Sequence, residues 1–180
     1  CEAGEGWVEC GEDCERPDDF AGGGVETCRH CLVPAAVGLE PGLAGTLWKG
    51  EAMLSNLDAE APLVFWSEFT PDAPGAKGDV LASDPEVLEP GETRYFASFV
   101  EEVFGVSGGG NIQLVADAPM VVTTRVYNTG DDGTYGQLVD AFDESSIVCP
   151  GQMAILIGLE QDAAFRTNVF VQEVSGVGAT

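Results

Sequence analysis

The chain has 180 residues, 44% of them hydrophobic, and sets 31 acidic against seven basic side chains for a formal net charge of -24. That length and apolar content suffice for one packed domain with an appendage, while the charge makes nucleic acid and anionic membrane surfaces poor partners. No apolar run reaches the roughly 18 residues of a spanning helix, and the acids are spread along the chain in the manner of a solubilising surface.

Residues 1–31 hold five of the six cysteines, Cys1, Cys10, Cys14, Cys28 and Cys31, and Cys149 is the sixth. Few large apolar side chains accompany them beyond Trp7, Val8, Phe20 and Val25, so this segment needs cross-links to order itself. Two kinds compete. The spacing of Cys10, Cys14, Cys28 and Cys31, with His30 beside the last pair, falls within what a thiolate zinc site uses. An even count in an acidic, exported chain points instead to three disulfides, which is the preferred reading, and six cysteines leave 15 connectivities open. The first residue is Cys1 and not Met, as in a processed, exported protein acting outside the cell or at its surface. Cys1 also suits a lipid-modified N-terminus, but disulfide pairing is favoured for it.

Residues 32–41, LVPAAVGLEP, read as a proline-bounded connector leading out of the head. The clearest adjacent strand pair follows in residues 45–71. Trp48, Gly50, Ala52 and Leu54 alternate with Lys49, Glu51, Met53 and Ser55; a turn spans 56–60; Leu63, Phe65 and Phe69 resume the alternation. Residues 72–84 read as a surface loop and residues 86–88 as a short strand. Glu89-Pro90-Gly91-Glu92 suits a type II turn.

In residues 95–104 the period changes, with Phe96, Phe99, Val100, Val103 and Phe104 on one helical face and Gly105 placed as a left-handed cap. Residues 107–110, SGGG, read as a flexible turn and lack the ending of a phosphate loop. Ile112, Leu114 and Ala116 alternate up to Asp117-Ala118-Pro119, and Met120, Val122, Thr124 and Val126 alternate after it, which predicts a β-hairpin. Residues 128–133 are a Gly/Asp turn and no calcium loop, since the twelfth position is Val139 where Glu is required. Met153, Ile155, Ile157 and Leu159 predict the last apolar strand. From Phe165 the opening strand is echoed 117 residues on, Trp48 by Phe165, Ala52 by Val169 and Leu54 by Val171.

Several landmarks in order, VPAAVGLEPGLAGTLWKGEAMLSN, LEPGETRYFASFVEEVFGV, APMVVTTRVYN, GTYGQ and GLEQDAAFRTNVFVQ, resemble a β-sandwich module that recurs, often in tandem, in large secreted and surface proteins of bacteria. The resemblance covers residues 33–173, leaves the Cys-rich head outside, and implies that the FRTN strand opens a following module. It brings no activity.

The expected fold is mainly β, an antiparallel β-sandwich of immunoglobulin-like or jelly-roll-like kind with one short amphipathic helix and a Cys-rich N-terminal segment. The expected division is a head of residues 1–31, a sandwich of 32–162, and a C-terminal strand of 163–180 that completes the sandwich, is donated to a neighbour, or opens a next module. Catalysis is not expected. The single histidine, His30, lies in the head, which removes nucleophile-histidine arrangements from the sandwich, and a chance carboxylate pair among 31 acids carries no weight. No cofactor is expected. The expected role is a structural or interaction module with protein partners, self-association included. Phe165, Thr167, Val169 and Val171 would be its assembly strand in a filament built by strand donation, and a third reading is a fragment of a larger tandem-repeat surface protein.

Overall fold

The computed structural model describes residues 3–4, 7–8, 28–42, 45–72, 79–131, 133–143, 146–148, 151–162, 167, 169, 171 and 172. The chain divides into two units, one of Gly23–Asp143 and one of Cys1–Gly22 with Glu144–Thr180. The described strands of the latter are β1 (Ala3–Gly4) and β2 (Trp7–Val8), an antiparallel pair with Ala3 opposite Val8.

The former is mainly β, a curled antiparallel sheet of nine strands with one short helix. Its elements are β3 (Cys28–Val37), β4 (Glu40–Pro41), β5 (Leu47–Ser55), β6 (Leu63–Pro71), β7 (Leu81–Ala82), β8 (Glu86–Leu88), β9 (Thr93–Phe96), α1 (Phe99–Phe104), β10 (Gly109–Gly130) and β11 (Gly133–Asp140).

Strand β10 organises the unit. Its first half lies between β3 and β6, from Gly109 opposite Val37 and Gly110 opposite Pro71. Its second half lies between β5 and β11, with Arg125 opposite both Glu51 and Leu138. The hairpin expected around Asp117-Ala118-Pro119 is instead a bend within this one strand. Between Val115 opposite His30 and Met120 opposite Cys28, β10 advances five residues while β3 advances two. Pro119 has no N–H to give a ladder there, and Asp117 Oδ1 accepts from Val64 N at 2.9 Å. Because Ile112, Leu114, Ala116, Met120 and Thr124 are all even-numbered and all buried, the strand keeps one inner face through the bend.

Strands β5 and β6 are therefore not partners of each other. Each pairs with its own half of β10, and the residues between them form a corner. Asn56 holds that corner from a position only 1% exposed. Its Nδ2 donates to the carbonyls of Ala61, Leu88 and Glu89 at 2.8, 3.3 and 3.2 Å, its Oδ1 accepts from Asp58 N at 3.0 Å, and its own N–H reaches Glu92 O at 2.9 Å.

Residues 32–37 are no connector but the inner part of β3, in which Cys31, Val33, Ala35 and Ala36 are buried. Pro34 sits where β3 carries an extra residue, between the pairs Gly110 with Ala36 and Ile112 with Val33, so its missing donor is no loss. The helix is shorter than its period predicts. Residues 93–96 pair with β5, and only Phe99–Phe104 is helical, ended by Gly105 at φ 68° with its N–H on Glu101 O. Phe96 and Phe99 still meet edge to face at 4.9 Å, and Phe104 stacks on Phe69 at 5.6 Å, closing the core around Leu54, Leu63, Phe65 and Leu114.

The type II turn stands as expected, with Gly91 at φ 70° and Glu92 N donating to Glu89 O. Two carboxylates tie down the corner and this turn. Backbone N–H bonds from Glu60 and Ala61 hold Asp58 below its ordinary pKa, and a bond from Glu89 N, with Arg94 beside it, does the same for Glu92. A depressed folded-state pKa contributes stability above the unfolded value that disappears as pH falls through the folded one. The unfolding midpoint should thus decline below about pH 4, the ordinary carboxylate range. Asp58→Asn with Glu92→Gln should flatten that decline in calorimetry at stepped pH, and an unchanged slope would show that other acids set it.

Candidate functional site

Cys28 and Cys31 form a disulfide. An extended strand would separate residues three apart by about 10 Å, whereas their Cα atoms are 5.4 Å apart. The bridge thus gathers the start of β3 beside the bend of β10, where the two strands advance unequally. A pair so joined offers no thiolate, so two of the four residues of the zinc alternative are already engaged with each other. Cys1, Cys10, Cys14 and Cys149 lie outside the described residues. Among the described residues no cluster of His, Cys, Asp or Glu could hold a metal ion.

A cavity between β3, β5, β10 and α1 is lined by Val33, Ala35, Ala52, Phe99, Val100 and Ile112. Its volume of about 20 Å³ accommodates one water molecule and no substrate. His30 lies opposite Val115 on β3, away from this lining.

The outer face of β5, β9, β10 and β11 carries a connected polar and aromatic row. Tyr95 Oη donates to Glu51 Oε2 at 3.0 Å, Arg125 Nε lies 3.5 Å from Glu51 Oε1, and the Arg125 guanidinium sits 4.3 Å from the centre of the Tyr127 ring. The hydrogen bond to Glu51 raises the pKa of Tyr95. Tyr127 lies directly across from Gly136, where an added Cβ would fall 2.3 Å from the tyrosine's own Cβ. The TRVYN and GTYGQ runs thus face each other as one hairpin whose glycine makes room for the aromatic ring.

The other feature is an apolar arm. Met153, Ile155, Leu156, Ile157 and Leu159 are all exposed, Met153 by 84% and Ile157 by 87%, and among the described residues 153–159 belong to no ladder. The last apolar strand expected from the sequence therefore buries nothing here. Of the expected assembly strand, Phe165 lies outside the described residues, while Thr167, Val169 and Val171 are exposed and outside any strand. Thr167 Oγ1 accepts from Glu160 N at 3.0 Å and donates to Glu160 O at 2.9 Å, so the chain turns back after the arm. Exposed apolar side chains thus begin earlier, at Met153, than the expected assembly strand. Gly158, at φ 75°, interrupts the apolar run.

No family model matches the chain. It is 29% identical over 109 residues to 1-deoxy-D-xylulose 5-phosphate reductoisomerase of Sinorhizobium fredii and, to the same extent, to that of Rhizobium meliloti. The match takes in 59% of this chain and 26% of each enzyme, so the chain spans about a quarter of those relatives. The crystal structure of Thermotoga maritima 1070 is similar in fold, with a TM-score of 0.50 at 11% identity over 66% of this chain and 96% of that one. No helix among the described residues is long and apolar enough to cross a membrane.

Proposed function

We propose that the chain is a non-catalytic structural or interaction module that acts outside the cell, at a surface or in a matrix, and joins other proteins by adding a strand. The observation that carries this is the arm, five large apolar side chains exposed on a segment with no ladder partner among the described residues. An extended apolar segment with free backbone groups finds its lowest free energy against a sheet. Residues 145–159 also carry no charged side chain, so a second highly acidic chain can approach there with the least repulsion. The curled sheet is read as a β-sandwich whose layers share β10, and the Cys28–Cys31 bridge suits an oxidising compartment. The partial likeness to the reductoisomerases brings no residue to which a catalytic role can be assigned.

A second reading is a filament subunit that donates the arm, together with Thr167, Val169 and Val171, to its neighbour. The same exposure favours it. Light scattering of the full chain at rising concentration tests strand addition directly. Reversible association is expected, with Ile155→Glu combined with Ile157→Glu returning the chain to a monomer at an unchanged unfolding midpoint. A chain that stays monomeric at every concentration overturns the reading.

A further inference from the structure

The end of β3 with the residues that follow it, and the arm, carry nearly the same short sequence. At a separation of 120 residues, Val37, Gly38, Leu39 and Glu40 stand over Ile157, Gly158, Leu159 and Glu160, three of the four identical. Val33, Ala35 and Ala36 stand over Met153, Ile155 and Leu156. In β3 those places are all in use. Val33, Ala35 and Ala36 are buried, Ala36 pairs with Gly110 and Val33 with Ile112 of β10, and Gly38 N donates to Gly108 O at 2.8 Å. A Cβ on Gly38 would meet Ser107 Cα and Val106 O at 3.1 Å, so close backbone approach demands glycine there. The arm has a glycine at the same place, Gly158, yet nothing lies within 4 Å of where its Cβ would be. In the arm it is the left-handed φ of 75° that calls for glycine, and the open space around it leaves room for a backbone to approach. Beyond the shared glutamate both segments turn back, Glu40 to pair with Trp48 and Glu160 to bond with Thr167.

We propose that residues 153–159 are a strand of β3 type, and that their partner is a β5-to-β11 set of strands of this same kind that has no β3 of its own. A complete module is the poorer partner, because the first half of β10 already has β3 on one side and β6 on the other and the arm would have to displace β3, so association between copies of this chain is weak and grows with concentration. In the docked arm Ile155 and Leu156 take the buried places of Ala35 and Ala36, and Gly158 gives up its left-handed conformation to receive the loop that corresponds to residues 106–108. The proposal rests on strand addition and names what the strand is added to.

The test extends the full chain after Thr180 with a second copy of residues 64–143, since residues 165–180 already stand over 48–63. Amide hydrogen exchange at Ile155 and Ile157 should slow by about 100-fold or more in the extended chain relative to the original. Gly158→Val should abolish that protection and leave the amides of β3 as they were. Arm amides that stay unprotected, an appended segment that stays unfolded, or a Gly158→Val variant without effect each overturn the proposal. If the original chain associates in light scattering while the extended one shows no arm protection, the partner is misidentified and strand addition stands. If neither occurs, both fall.

Discussion

Asn56→Ala is expected to lower the unfolding midpoint by about 10 °C, from a loss of about 3 kcal/mol. The side chain is buried and makes four hydrogen bonds at the corner where the chain passes from β5 to β6. Alanine leaves the carbonyls of Ala61, Leu88 and Glu89 without their shared donor. The Leu88 carbonyl is buried and the other two bonds are part-buried, and leaving a desolvated acceptor unpaired costs more than a hydrogen bond contributes on average. Asn56→Asp sharpens the result. It keeps the shape and the Asp58 contact but turns the donor into an acceptor facing three carbonyls, so it should destabilise at least as much as alanine. Thermal denaturation followed by circular dichroism reads both variants. An Asn56→Asp chain as stable as the original would show that the carbonyls do not depend on this amide.

Gly110→Val is expected to be at least as damaging, about 3 kcal/mol or more. Gly110 is buried on β10 between Ala36 and Pro71, and a Cβ there would fall 2.3 Å from Thr70 O and 2.6 Å from Cε2 of Phe69. The Phe69 ring covers the bare glycine backbone and in turn stacks on Phe104 of the helix. A side chain at 110 must therefore displace either the β6 ladder or the ring that seats α1, and neither is a flexible chain end. Gly91→Ala provides the contrast. Nothing lies within 4 Å of that position, so its cost is the left-handed φ of 70° alone, about 1 kcal/mol. Equal midpoints for Gly110→Val and Gly91→Ala would refute the packing argument.

The strong local signals were legible. The alternation of β5 and β6, the Glu89-Pro90-Gly91-Glu92 turn and the Gly105 cap each depend on a few consecutive residues, and each stands where the residues place it. Two misreadings have a common cause. Asp117-Ala118-Pro119 looks like a reversal because proline and aspartate punctuate it, and Pro34 looks like the mark of a connector. Both prolines sit where paired strands advance unequally, and a residue without an N–H is tolerated there. Phe96 misled in another way, since a side chain at the end of a strand and one at the start of a helix can both face the core.

The sequence by itself determined that the protein is mainly β, that its helix is short and aromatic, and that its surface is overwhelmingly acidic, because these follow from period, composition and charge counted along one chain. Tertiary structure alone decided that one 22-residue strand serves both halves of the sheet, and that β5 and β6 meet it separately. It also separated β3 from the arm: Val33, Ala35 and Ala36 are buried, whereas Met153, Ile155 and Leu156 at the corresponding places are exposed. Burial depends on whether a partner strand is present, and the residues of a strand do not state whether that partner is there.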